Sequence, residues 1–557
     1  MGKNMPAVSV DVVLPGGKTV AVAGDRSLME ISNEVSSYYP SPIVAALVDG
    51  ELTELHNVLE KPALVRFLDL TTKDGVRIYQ RSLIILLIHA AYELFPEAAV
   101  KVEHSLGKGL YCEIDKNPAL SAADVASIEK KMRQLVKRNL PIKKRRVTIN
   151  EAEQVFTRQG FDDKVQLLKY WPKDHLKLYS INVLEDTLYG YHVPQTGLLQ
   201  LFSLQYYKPG FVLCFPNEDN PLGVCPFLQQ PKLFEIFRET EKWGFILGFD
   251  TAGAMNRLIK EGQGPEVVRI AEALHEKKIA QIADLVKEHS EETSIILIAG
   301  PSSSGKTTFA QRLRIQLLVN GVRPYPISLD DYFVNREFTP LDESNNPDFE
   351  HIEAVDLSLF NEHLIRLLNG EEVEIPFFNF TTGKREYRGR RIRLEKNQPL
   401  IIEGIHGLNE KLTSSIPRHK KFKIYISALT SLNIDRHTRI HTTDTRLLRR
   451  LVRDAQFRSM GARETIRMWP SVRRGEDRNI FDLQEEADIM FNSSLVYELS
   501  VIKKHAEFLL NQIDRSEPEY IEAKRLLHLL SFFVPLNSRE VPSNSILREF
   551  IGESKKW

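Results

Sequence analysis

The stretch Thr293–Thr308, TSIILIAGPSSSGKTT, decides the fold. Its apolar run has the length and branched composition of a buried strand. Gly300-Pro301-Ser302-Ser303-Ser304-Gly305-Lys306-Thr307 then satisfies GxxxxGK[ST] at every defined position, and Phe309, Leu313 and Leu317 follow on one helical face. Two glycines let the backbone curl so that successive amides face one anion, and the helix start adds partial positive charge. The expectation is ATP binding through Gly300, Ser302, Ser303, Ser304, Gly305, Lys306, Thr307 and Thr308. Lys306 reaches the β- and γ-phosphates, and the Thr307 hydroxyl holds Mg²⁺.

Outward from this loop, apolar runs recur: VRPYPISL, PLIIEG, KFKIYISAL and ADIMFNS, separated by helix-like segments such as Thr307–Asn320 and Asp356–Leu368. Strands alternating with helices predict a parallel sheet covered on both faces, an α/β domain. Carboxylates at the carboxyl ends of such strands face the ligand crevice. Asp330, in SLDDYF, is the expected base for an attacking hydroxyl, with Asp331 as the alternative. Glu403, closing the run Leu400-Ile401-Ile402, is the expected Mg²⁺ carboxylate. Between Asp435 and Arg478 the chain is dense in arginine. Arg446, Arg450 and Arg453 share one helix face, suited to a lid that clamps phosphates. A solvated face or an RNA-backbone contact remain the other readings of that arginine bias. His437 and His441 are spaced one helical turn apart and read as ordinary helix residues.

The composition permits this reading and excludes others. In 557 residues, 74 Lys and Arg balance 74 Asp and Glu, so neither a broadly polybasic nucleic-acid binder nor an acidic tail is expected. With 42% hydrophobic residues the chain can bury cores. Three cysteines without a CxxC pair argue against a disulfide framework or a cysteine zinc site and fit a reducing compartment. The longest apolar stretch, Ser82–Tyr92, is too short to span a bilayer, and MGKNMPAVSV lacks a secretory or myristoylation pattern. No membrane association and a cytoplasmic location are therefore expected.

Organisation divides the chain into a small α+β module over 1–70, an α+β region over 71–230, and a helical linker over 231–290. The α/β domain covers 291–500, and helices fill 501–557. Strand-like alternation opens the first module, with a helix over Ser27–Ser37. An apolar helix is expected over Gly75–Pro96 and an amphipathic one, capped by Ser121, over Ser121–Arg138. Residues 180–230 hold short aromatic runs that read as sheet.

The motifs GPSSSGKTT, SLDDYF, FEHIEAVD, IPFFNF, IIEGIHGL and DTRLLRRLVRD together resemble the uridine kinase and phosphoribulokinase group of P-loop kinases, over about 290–500. The resemblance implies Asp330 as catalytic base, Lys306 at the transferring phosphate and Glu403 at Mg²⁺. It places lid arginines at Arg450 and Arg453, and also at Arg458 and Arg463, contacting phosphates and acceptor. The ribose-binding Asp of that group is Glu350 here, the tyrosine of IPxYDF is Phe378, Asn379 replaces its Asp, and its base-reading histidine falls on Gly383. Phe378 and Phe380 then form an apolar slot that stacks a ring without choosing one, because a site lacking a specific donor discriminates weakly.

The first 230 residues resemble the amino-terminal part of threonyl-tRNA synthetase, a β-grasp TGS domain and an editing domain. IYQRSLIILLIHAAYELFP, LYCEID, ASIEKKMRQLVKRNLPIKK and YGYHVP carry this likeness. The four editing positions read Arg81, Ile85, Leu188 and His192, so aminoacyl-tRNA hydrolysis is rejected and retention of the fold with changed use is expected. RNA contact, ligand sensing or assembly of a homo-oligomer remain open for this half. The leading expectation is ATP-dependent phosphorylation of a hydroxyl on a nucleoside or similar small molecule. A nucleotide-gated RNA-binding regulator and a kinase of another alcohol or a sugar phosphate are the alternatives.

Overall fold

The computed structural model describes residues 9–553 except Glu343, Ser344 and Asn346. The expectations for the first eight residues lie outside the described ones. The chain forms two compact units. One contains the chain up to Gln230 together with Thr251–Ala254 and Asn433–Arg439, and the other contains the remainder. The segment expected as a linker is thus helical but split: Pro231–Asp250 and the chain from Met255 onward belong to the second unit. The physical reason is apolar burial: Ile236 and Phe237, then Val268, Ile279 and Ile282, are all core residues.

The first unit opens with a five-stranded sheet in the order Thr19–Ala23, Ser9–Val13, Ala63–Leu68, Ala45–Val48, Glu51–Thr53. Ser9–Val13 runs parallel to Ala63–Leu68 between antiparallel neighbours, and one face buries Val10, Val12, Val65 and Phe67 against helix Leu28–Val35. Ser27 starts that helix with a capping box to Glu30. The apolar stretch around Ser82–Tyr92 lies in helix Lys73–Leu94, and Ser121 caps helix Ala122–Lys137. The expected sheet at 180–230 is present as Ser203–Tyr207 and Gly210–Cys214, within a four-stranded antiparallel sheet. All three cysteines are buried and free.

His437 is not in a helix. Asn433–Asp435 and Thr438–Arg439 form a small hairpin within the first unit, and the following helix begins only at Thr442, after His441. His437 Nδ1 sits 2.7 Å from Asp186 Oδ2, and Lys164 Nζ lies 3.0 Å from Asp186 and 2.8 Å from Asp435. Lys164 and the two aspartates are almost fully enclosed, so each charge is held by its partners rather than by water. Lys164 and His437 hold the Asp186 carboxyl down at about 2 against the opposing effect of burial.

The second unit begins with α1 (Pro231–Leu247) and α2 (Gly264–Glu288). Its centre is a five-stranded parallel sheet of β1 (Ile295–Ala299), β2 (Tyr325–Ser328), β3 (Leu400–Glu403), β4 (Lys421–Ser427) and β5 (Ile489–Asn492), ordered β2-β3-β1-β4-β5. Between them run α3 (Lys306–Val319), α4 (Leu357–Leu368), α5 (Thr442–Phe457) and α6 (Ala462–Asn479). α7 (Glu498–Leu510), α8 (Tyr520–Ser531) and the short α9 (Arg548–Ile551) complete the unit. Ile295–Ala299 is wholly buried, which explains its unbroken apolar sequence: a central parallel strand is covered on both faces. Among the described residues no helix is long and apolar enough to cross a membrane.

Candidate active site

The loop between β1 and α3 curls because two of its residues take left-handed backbone angles, Ser303 at φ 61° and Gly305 at φ 87°. Gly300 cannot carry a side chain: a Cβ there would stand 1.9 Å from the Ile426 carbonyl oxygen. Lys306 Nζ donates to the Gly300 and Pro301 carbonyls at 3.0 and 3.2 Å, which folds the ammonium over its own loop.

Two acids end the neighbouring strands. Glu403, at the end of β3, accepts from Ser328 Oγ at 3.0 Å and from Thr307 Oγ1 at 3.3 Å. Burial, reinforced by the charge of Asp330 and opposed by Lys306, pushes its carboxyl up to about 7. Asp330 and Asp331 share the 3-10 turn Leu329–Tyr332 and diverge from it. The charge of Asp330 is felt by Glu403, Glu350 and Arg458, whereas Asp331 accepts from the Phe378 backbone and faces Arg390 at 3.7 Å. Glu350 Oε2 is buried without a hydrogen-bond partner, and burial together with Glu476 lifts this carboxyl to about 7, against Arg450 and Lys306.

The arginine-rich helix is not a solvated face. Arg446 and Arg449 are 1% and 0% exposed, and Arg450 Nη1 donates to Ser302 Oγ at 2.8 Å. Arg453 pairs with Asp454 at 2.9 Å. Arg458 is exposed over 39% of its side chain and lies over the Phe380 ring at 5.5 Å, with the Arg453 charge nearby lowering its guanidinium. Phe378 and Phe380 pack edge to face at 5.1 Å, and Phe333 closes the same cluster at 5.6 and 6.4 Å. Arg463 differs from its expected place: half-exposed, it turns to Glu517 at 2.8 Å, because the carboxyl-terminal chain offers it a carboxylate.

Three contacts are absent from the sequence reading. Glu476 on α6 accepts from the Ser302 amide at 2.8 Å, Glu549 on α9 accepts from the Thr308 amide and hydroxyl at 3.1 and 2.8 Å, and Phe333 joins the aromatic slot. No motif marks either glutamate, whereas Phe333 closes the SLDDYF stretch two residues after Asp331.

Thr307 and Glu403 suit a magnesium ion: an oxygen pair at the head of α3, with surplus negative charge from Asp330, is a hard donor set. Among the described residues there is no cluster of three or more His, Cys, Asp or Glu side chains arranged to hold a metal.

Residues 295–496 match the Phosphoribulokinase / Uridine kinase family. The phosphate loop and the five-stranded parallel sheet both lie within this matched stretch. The amino-terminal part is similar to threonine–tRNA ligases. That of Acidithiobacillus ferrooxidans is 31% identical over 196 residues, which are 35% of this chain and 30% of the ligase. That of Geobacter sp. is 28% identical over 195 residues, 35% of this chain and 31% of the ligase. The chain thus spans under a third of the ligases it matches. A solved structure described as a possible uridine kinase from Bacillus stearothermophilus is 19% identical and covers 38% of this chain and 97% of its own, with a TM-score of 0.26.

In the first unit the editing-like positions are filled by packing groups. Ile85, Leu188 and His192 are buried, and Arg81 donates to the Tyr191 carbonyl at 3.1 Å. Burial and the nearby Arg81 hold His192 far below the usual histidine range, so the ring is neutral.

Proposed function

We propose that the chain transfers the γ-phosphoryl group of ATP to a hydroxyl of a nucleoside or a similar ring-bearing small molecule. What supports this reading is Asp330, in the turn that follows β2, whose charge is felt both by Glu403, the partner of Thr307, and by Arg458, which lies over the Phe380 ring. A group so placed accepts the proton of an acceptor hydroxyl as the oxygen–phosphorus bond forms. Lys306 and Arg450 neutralise phosphate charge, and Arg453 and Arg458 close the acceptor side. Glu403 and Thr307 would hold Mg²⁺, which when bound screens the phosphate oxygens. Phe333, Phe378 and Phe380 receive a flat ring without a base-specific donor.

The test is a screen of nucleosides and small alcohols for ATP-dependent phosphorylation by the purified full-length chain. Phosphorylation of ring-bearing alcohols supports the reading; turnover confined to acyclic alcohols or sugar phosphates replaces the acceptor class, and none at all rejects it.

A second reading, RNA contact through the first unit, is favoured by strand Lys143–Thr148, KKRRVT, in which Lys143 and Arg146 are exposed. It expects tRNA affinity that falls steeply with salt; no binding at low salt removes it.

A further inference from the structure

The carboxyl-terminal segment of the second unit packs onto the phosphate loop. Ile546 is wholly enclosed, and a Cβ added to Gly305 would collide with its Cγ2. The Phe550 ring lies 5.0 Å from the guanidinium of Arg449, which donates to the Ser303 carbonyl at 3.3 Å. Glu549 sits in the first turn of α9, and its Oε2 accepts from the Thr308 amide at 3.1 Å and from the Thr308 hydroxyl at 2.8 Å.

Two glutamates thus bind amides of the loop, and they differ in how their charge is met. Glu476, on the Ser302 amide, is enclosed and pairs with both Arg446 and Arg473. Its charge is neutralised inside the fold. Glu549 is only half-buried, and among the described residues it pairs with no cation. Its charge is instead felt by a second carboxylate, Glu403, the partner of Thr307. The head of α3 alone holds it. Gly305, which precedes that helix, offers no side-chain cap, so Glu549 supplies the acceptor that the Thr308 amide lacks locally.

First-turn amides of a helix receive phosphate oxygens, because their N–H groups lack intrahelical acceptors and the helix end is partly positive. Thr308 is the third residue of α3, and its amide already carries an anion that belongs to the chain. A phosphate oxygen and this carboxylate cannot both occupy it, since like charges would meet at one donor. Thr307 beside it is exposed, so a ligand reaches the head of the helix from solvent. We infer that Glu549 is a built-in competitor of the phosphate loop: its carboxylate holds the Thr308 amide until a polyphosphate tail displaces it. The inference rests on the reading of this loop as a nucleotide-phosphate site. Rotation of one side chain suffices for the exchange, because Ile546 and Phe550 keep α9 seated. A competitor present in about nine chains of ten lowers the apparent affinity about tenfold.

The experiment measures binding of tripolyphosphate and of ATP to the full chain by titration calorimetry. Glu549→Gln keeps the length of the side chain and removes the competing charge, so it should tighten both by about tenfold. Glu540→Gln, at an exposed glutamate of the same carboxyl-terminal segment, should leave both unchanged. A glutamate with a merely structural role would weaken binding when replaced. Weaker or unaltered binding in Glu549→Gln, or equal gains in the two variants, therefore overturns the inference. A crystal structure of the unaltered chain with tripolyphosphate decides the matter even where a variant fails to fold. A phosphate oxygen should take the Thr308 amide with Glu549 turned away; tripolyphosphate bound while Glu549 keeps that amide overturns the competition and leaves the phosphate-loop reading standing. Binding of neither ligand by the unaltered chain or by Glu549→Gln removes the phosphate-loop reading itself, and the inference with it.

Discussion

Glu476 accepts a hydrogen bond from the Ser302 amide at 2.8 Å while Arg446 grips both its oxygens, at 2.5 and 2.7 Å. A residue of α6 is thereby tied to the phosphate loop and to α5 at once. Both side chains are essentially unexposed, so the pair is held by geometry rather than screened by water.

Glu476→Ala leaves Arg446 as an uncompensated buried cation. The expected cost is about 3–5 kcal/mol of unfolding free energy, measured by denaturant titration. Replacing Arg446 by Met in the same chain should restore part of it, because the orphaned charge leaves as well. A double variant no more stable than Glu476→Ala would show that the loss lies elsewhere, for example in the contact of Arg473 with Glu476 at 3.0 Å.

Asp330→Asn keeps the shape of the 3-10 turn and removes the proton acceptor. Phosphoryl transfer should fall by about 10²–10⁴-fold in kcat with ATP affinity nearly unchanged. The same change in Asp331, which faces Phe378 and Arg390, should cost far less. Equal losses in the two variants, read from steady-state kinetics beside ATP titrations, would remove Asp330 from its role.

The residues behind these expectations differ in how plainly the sequence shows them. The loop from Gly300 to Thr307 is legible because its constraint is local: a backbone that must curl selects glycine within a few positions. The central strands are legible for the same reason, since burial on both faces leaves an unbroken apolar run. Which of Asp330 and Asp331 turns toward Glu403 depends on one 3-10 turn that no periodicity announces. Glu476 and Glu549 stand 174 and 241 residues from their partners in the loop, and only the packed fold joins them. His437 misled by its spacing to His441, because the hairpin at Asn433–Arg439 interrupts a stretch whose arginines suggest a continuous helix.

Phe380→Ala removes the more exposed ring of the aromatic slot and the surface beneath Arg458. Stacking of a flat ring on an aromatic side chain contributes about 1–3 kcal/mol. The acceptor KM should therefore rise about tenfold, with the KM for ATP unaltered. An acceptor KM that does not move would place the ring elsewhere.

Glu350 gives a prediction in pH. Its carboxyl is raised to about 7 in the folded chain, first by burial and then by Glu476, from an ordinary value of 4.5. Between those two values the folded chain holds a proton that the unfolded chain has released, so stability falls as pH rises through this window. The penalty is complete above about 7 and absent below 4.5. Glu350→Gln has nothing to ionise. It should melt at a higher temperature than the unaltered chain at pH 8, by an interval that shrinks steadily toward pH 5. Thermal unfolding across that range decides the matter: a Gln variant less stable at pH 8 than the parent would mean that the ionised carboxylate is held by Arg450 and Lys306 more strongly than burial opposes it.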